Sequence, residues 1–156
     1  VGLGVGEEVG TKGQDELLER EERVRVIGDV SRFERALQNN SQSLEAQTYG
    51  FTKALYLCLS YGGRDEITAG ALGFAESGKT TLTPEEFESY LWSSDMSDPE
   101  LVIRTGGDKR LSGFLLWKSS YSELYFTDTL WPALSTEEVR NLIETYTEQV
   151  RINKGK

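Results

Sequence analysis

The stretch LVIRTGGDKRLSGF, Leu101 to Phe114, sets a short continuous apolar run against a turn rich in glycine and cations. Apolar residues at consecutive rather than alternating positions fit a strand covered on both faces, as in a parallel sheet. Gly106 and Gly107 permit backbone torsions closed to other residues and let a ligand come close to the chain. Around them Arg104, Lys109, Arg110 and Ser112 supply donors. Two guanidiniums can grip phosphate oxygens with two prongs each, and exposed backbone N–H groups would complete an anion nest suited to a diphosphate. The same residues also read as arginines paired with a local acid, Asp108 among them, on a solvated loop. Residue types leave both readings open.

Two further runs resemble the first: VRVI (Val24 to Ile27) and ALYLCL (Ala54 to Leu59), followed by the turns IGD and YGGRDE. Ligands of open parallel sheets sit beyond the carboxyl ends of the strands, so the three glycine turns are expected to share one rim. Helical patterns fall between the runs. Ser31-Arg32-Phe33-Glu34 has the form of a capping box and predicts a helix from about Arg32 to Asn39. Thr83-Pro84-Glu85-Glu86 predicts a second, carrying Phe87, Tyr90 and Leu91. Ser135-Thr136-Glu137-Glu138 predicts the last, with Val139, Leu142, Ile143, Tyr146 and Val150 on one face. The alternation gives an α/β class: a partial parallel sheet flanked by helices.

With 156 residues the chain is expected to form one domain over 13–151, after a glycine-rich flexible segment at 1–12 and before a short tail at 152–156. Its 26 acids outnumber 17 bases for a net charge of −9, which excludes broad binding of a nucleic-acid backbone. Any anion site must be local. Histidine is absent, which removes Ser-His-Asp and Cys-His catalysis and most zinc and haem ligation. The single Cys58 lies in LYLCLSY and reads as a small core residue. No apolar run approaches the roughly 18 residues of a membrane-spanning helix. The opening VGLGVGEEVG lacks the basic flank and apolar stretch of a secretory signal.

GFAESGKT, Gly73 to Thr80, fits the phosphate-loop formula G-x-x-x-x-G-K-[ST]. That loop works only when a strand precedes it and a helix follows directly, its N–H groups facing the phosphate. Here Thr81, Leu82 and the Thr83 cap intervene, and ITAGALG upstream reads as the end of a helix begun near Asp65. The octapeptide is expected to be a surface turn between helices.

Downstream, Ser122-Glu123-Leu124-Tyr125-Phe126 places one carboxylate in an aromatic-rich stretch. Buried there, Glu123 would need a cation, either an arginine or a metal shared with a phosphate, so it reads as a magnesium candidate or as a salt-bridged structural acid. Trp117, Tyr121, Trp131 and Leu134 read as core.

YGGRDEI (Tyr61 to Ile67), PELVIRTGGDKRLSGFLLW (Pro99 to Trp117) and YSELYFTDTLWP (Tyr121 to Pro132) closely resemble the carboxyl half of cis-prenyltransferases, the family of undecaprenyl and dehydrodolichyl diphosphate synthases. VRVIGDVSR (Val24 to Arg32) extends the resemblance more weakly. It implies the carboxyl-terminal portion of that fold. It also implies a magnesium-dependent enzyme that joins isopentenyl diphosphate to an allylic diphosphate, forming a new cis double bond. By position, Arg104, Arg110, Leu111 and Ser112, with Gly106 and Gly107, are implied to bind the isopentenyl diphosphate, and Glu123 to meet Mg²⁺. A homodimer or heterodimer is implied, as is peripheral contact with membranes through the lipid product.

Departures are visible. Asp108 stands where the family has Glu, and Gly113 follows Ser112 where Asn is usual. The segment from Ile67 to Thr83 is several residues short, and the tail RINKGK lacks the Arg-x-Gly ending of many eukaryotic members. The family's amino-terminal aspartate loop, which binds the allylic diphosphate, is not in the sequence, so no catalytic aspartate is identified. The expectation is a piece of a longer enzyme with an unpaired strand edge, or a non-catalytic partner subunit of a heteromeric one.

Overall fold

All three apolar runs form strands: β1 (Glu22–Ile27), β2 (Lys53–Cys58) and β3 (Leu101–Arg104). A fourth, β4 (Glu123–Phe126), occupies the aromatic stretch after Ser122. Among the helices are α1 (Arg35–Thr48), α2 (Gly63–Glu76), α3 (Pro84–Glu88) and α4 (Thr136–Lys154); residues 15–19 are also helical. This computed structural model describes residue 13 and residues 15–154, the last four by backbone alone. The expected flexible segment 1–12 lies outside the described residues, and the boundary expected after residue 151 falls inside α4.

Among the described residues the strands pair β1 with β2 and β3 with β4, both pairs parallel, as the α/β reading expected. The chain divides into two compact units between Ser94 and Asp95, where length alone suggested one. The IGD and YGGRDE turns therefore follow one strand pair, and the arginine turn follows the other.

In the first unit, register pairs Val24 with Leu55 and Ile27 with Cys58. Val24 and Ile27 are buried. Two β1 amides are met by α1 side chains instead of a strand: Val24 N–H donates to Thr48 Oγ1 at 2.9 Å and Val26 N–H to Glu45 Oε1 at 2.8 Å. Glu45 Oε1 also accepts from Arg25 at 2.8 Å. These contacts satisfy two β1 amides that would otherwise be open to a neighbouring chain.

The first helix departs from expectation. Ser31 does not cap it, because Asp29 lies closer: its carboxylate takes the Ser31 N–H and hydroxyl at 3.3 and 2.5 Å and the Arg32 guanidinium at 2.8 Å. The Ser31 hydroxyl, followed by Arg32, holds the Asp29 carboxyl below its ordinary range. Val30–Arg32 becomes a short 3₁₀ turn, and α1 starts at Arg35 and runs to Thr48 with no side-chain cap from Glu34.

GFAESGKT behaves as its context predicted. Gly73 to Glu76 end α2, Gly78 follows in a left-handed conformation (φ +72°), and α3 begins only at Pro84. No strand leads into the motif and no helix leaves it directly, which removes the nucleotide-loop reading. The Thr83 capping box forms, with Glu86 N–H donating to Thr83 Oγ1 and Thr83 N–H to Glu86 Oε2, each at 3.1 Å. Phe87 rides on α3 and is buried, but the helix stops at Glu88, so Tyr90 and Leu91 follow it rather than belong to it.

Glu66 on α2 is the fully buried acid among the described residues of this unit. It is 0% exposed, accepting the Ser93 N–H at 2.8 Å and the Tyr61 hydroxyl at 2.5 Å. The Tyr61 ring in turn stands edge-on to Trp92, with centroids 6.2 Å apart.

Cys58 is half-buried at the end of β2 rather than in the core. Burial, then the nearby Glu66 carboxylate, pushes its thiol above the ordinary range. A raised thiol pKa leaves less thiolate at a given pH, so a disulfide reagent at pH 8 should label folded Cys58 several-fold more slowly than the urea-unfolded chain. Glu66→Gln, with its fold verified by circular dichroism, should narrow that gap by removing the second cause. Equal folded and unfolded rates would contradict this account.

Candidate functional site

The second unit places the arginine turn at the carboxyl end of β3, above a core that includes Val102 and Leu115. Beyond Arg104 the backbone passes through Gly106 and Gly107 at φ +90° and +84°, torsions that a side chain would strain. Their amides are not exposed. Gly106 N–H donates to the Thr129 carbonyl and Gly107 N–H to that of Thr127, both at 3.0 Å, and Thr127 N–H returns a bond to the Arg104 carbonyl. The expectation that these N–H groups complete an anion nest is corrected: they tie the turn to the segment after β4. The two glycines shape the site rather than offer donors.

The side chains carry the site. Arg104 and Arg110 each donate from Nη2 to the same atom, Asp108 Oδ2, at 2.7 and 2.6 Å. Arg104 Nη1 donates to Ser112 Oγ at 2.8 Å and to the carbonyl of Arg110. Two predicted residues, six positions apart, thus close on one anionic oxygen, and Arg104 holds the third, Ser112, beside them. The local ion pair foreseen as the alternative to anion binding is the arrangement present. It also shows that the loop can aim both guanidiniums at one point.

Leu111 is half-buried and contributes its carbonyl to Phe114 N–H at 3.0 Å, which closes the next turn. Lys109 is exposed. Ser112 (φ +51°), Gly113 (φ +86°) and Leu115 (φ +45°) all lie in the left-handed region. Glycine and asparagine are the residues that enter that region most readily, so the torsion at Gly113 is one that Asn can also adopt.

Glu123 does not join this cluster. It is exposed at the start of β4, so the expectation of a buried acid among aromatics is corrected. Register sets it beside Leu101, whereas Arg104 pairs with Phe126. Three residues of strand, about 10 Å, separate the two levels. Tyr146 on α4 sits by it instead. Loss of solvation, then the hydrogen-bonded Glu100 carboxylate and more weakly Glu123, raise the Tyr146 hydroxyl above its ordinary range. Among the described residues no group of three His, Cys, Asp or Glu could hold a metal. Glu123 is one potential oxygen ligand, not a site.

The aromatic residues also differ from expectation. Tyr121 and Trp131 are 93% and 75% exposed, so neither is core; Trp117 and Leu134 are half-buried. Trp131 and Leu134 line, with Ile103, Thr105 and Val139, a cavity of about 350 Å³ beside the start of α4, which sequence reasoning missed. The only signal for it was a Trp-Pro pair placed between a strand and a helix cap. That cap is half of the box expected: Ser135 Oγ accepts from Glu138 N–H at 3.1 Å, but the Glu138 carboxylate is taken by the Thr127 hydroxyl at 2.7 Å.

Comparison with known proteins agrees with this geometry. The family model described as putative undecaprenyl diphosphate synthase matches residues 4–153. An isoprenyl transferase of Aquifex aeolicus is 44% identical over 131 residues, covering 83% of this chain and 56% of that protein. One from Thermotoga maritima is 41% identical over 143 residues, covering 87% and 61%. The chain thus spans a little over half the length of the curated relatives it matches. Among solved structures, a probable undecaprenyl diphosphate synthase from Campylobacter jejuni superposes with a TM-score of 0.79 at 31% identity, over 93% of this chain and 69% of that one. Lavandulyl diphosphate synthase from Lavandula x intermedia, in complex with dimethylallyl diphosphate, gives 0.82 at 28% identity, over 90% and 64%. On this match, and on the Arg104, Arg110 and Ser112 cluster where the resemblance is strongest, the chain belongs to the cis-prenyltransferase family, that of undecaprenyl diphosphate synthase.

Proposed function

We propose that this chain supplies the isopentenyl diphosphate site of a cis-prenyltransferase that extends an allylic diphosphate into a polyprenyl diphosphate. The single observation that carries this reading is the convergence of Arg104 and Arg110 on one oxygen, with Ser112 held beside them. A diphosphate oxygen can take the position of that carboxylate oxygen and accept from both guanidiniums. Ser112 accepts from Arg104, so its own hydroxyl proton is left for a further phosphate oxygen. Held this way, the isopentenyl double bond is presented to the allylic carbon as its diphosphate departs, which is catalysis by positioning.

Magnesium, when bound, would neutralise charge on the departing diphosphate. Glu123 is the residue of this chain proposed to approach it, and it does not close a site alone. The allylic diphosphate is proposed as the second substrate, and the lavender relative's complex with dimethylallyl diphosphate supports that class of ligand. A dimer is proposed as the working state. Exposed apolar side chains such as Tyr121, Leu130 and Trp131, at 93, 66 and 75% exposure, support it, since association would cover them.

Titration of the purified chain with isopentenyl diphosphate tests the site directly. Arg104→Ala removes a donor to the ligand and the partner of Ser112, and should weaken binding by about 10- to 100-fold, the range for losing charge-assisted hydrogen bonds. An affinity unchanged by Arg104→Ala would refute the assignment.

A further inference from the structure

Asp108 holds the two guanidiniums together, yet among the described residues no third group holds Asp108. Its side chain is 43% exposed, and among the described residues its partners are Arg104 and Arg110 alone. The two arginines differ in how they are anchored. Arg104, 25% exposed, is also fixed through the Arg110 carbonyl and the Ser112 hydroxyl. Arg110 is 64% exposed and has Asp108 as its partner among the described residues. Without that carboxylate, two like charges aimed at one point would repel, and the less anchored Arg110 would swing into solvent.

The carboxylate is also placed to leave. Exposed ion pairs are weak and exchange readily with solvent and competing ions. The Asp108 side chain can turn away without moving the backbone: Gly107 before it stays bonded to the Thr127 carbonyl at 3.0 Å, while the carboxylate itself is 43% exposed. We propose that Asp108 is an internal stand-in for the ligand: its carboxylate keeps Arg104 and Arg110 converged until a diphosphate displaces it. The inference rests on the reading of this turn as a diphosphate site and adds its regulation. A diphosphate carries more charge and more acceptor oxygens than one carboxylate, so it wins the arginines, but its apparent affinity is lowered by the fraction of molecules in which Asp108 occupies them.

The test is calorimetric titration of the purified chain with inorganic pyrophosphate, comparing wild type, Asp108→Asn, Arg104→Ala and the double variant, each verified by circular dichroism. The amide keeps the size of the side chain and removes its charge. Asp108→Asn should bind pyrophosphate about 5- to 30-fold more tightly than wild type, and Arg104→Ala should abolish the gain in the double variant. Equal or weaker binding by folded Asp108→Asn, with wild-type binding still lost in Arg104→Ala, overturns the stand-in and leaves the diphosphate site intact. Absence of binding in every variant overturns both. Should Asp108→Asn fail to fold, Asp108→Ser, whose shorter side chain carries an uncharged hydroxyl, is read by the same criteria; loss of fold in both makes Asp108 a structural residue and also overturns the proposal.

Discussion

Gly28→Ala is expected to destabilise the first unit by about 3–5 kcal/mol, combining a strained torsion with backbone hydrogen bonds lost at about 1 kcal/mol each. Gly28 has φ +124°, and a Cβ built there would lie 2.0 Å from the Leu59 carbonyl oxygen. That oxygen is backbone, so it cannot rotate away as a side chain would. Relief requires parting the ends of β1 and β2, where Leu59 N–H bonds the Ile27 carbonyl at 2.9 Å and Asp29 N–H bonds that of Ser60 at 3.3 Å. Urea unfolding followed by circular dichroism measures the loss. A change under about 1 kcal/mol would mean that the two turns are not in the close contact described.

Glu66→Ala is the second large effect, with an expected loss of about 3–4 kcal/mol. The carboxylate is fully buried and is the acceptor for both the Ser93 N–H and the Tyr61 hydroxyl. Truncation leaves a buried amide without a partner and a void where the side chain was. Glu66→Gln should lose far less, about 1 kcal/mol, because its amide oxygen still accepts from Ser93 and its NH₂ can donate to Tyr61 with the phenol turned round. The ordering is the sensitive part of this experiment. If Gln and Ala are equally harmful, charge rather than hydrogen bonding holds this residue in place.

Much of the fold was legible because its signals are local. A run such as VRVI needs only its own residues to announce a strand buried on both faces, and Thr83 caps α3 through an amide three positions away. The same locality explains the failures. Ser31 has the right spacing to cap a helix at Glu34, but Asp29, two residues earlier, competes for it and wins. Trp131 has the composition of a core residue, and whether a large apolar ring is covered depends on the surface around it, which no local pattern encodes. The glycines of the arginine turn were recognised as special, but the partners of their amides lie twenty or more residues downstream, at Thr127 and Thr129.

By itself the sequence determined which donor-bearing residues gather in one turn and which chemistry is excluded. Guanidiniums, hydroxyls and missing histidines are properties of residue types, and the long match around Arg104 to Trp131 carries the family. Tertiary structure decided how those groups meet. It brought Arg104 and Arg110 onto one oxygen of Asp108, left Glu123 three residues down a paired strand, and closed the glycine amides against the far side of β4. Distances between side chains remote in sequence follow from strand register and backbone torsion acting together, and neither quantity is written in any one segment.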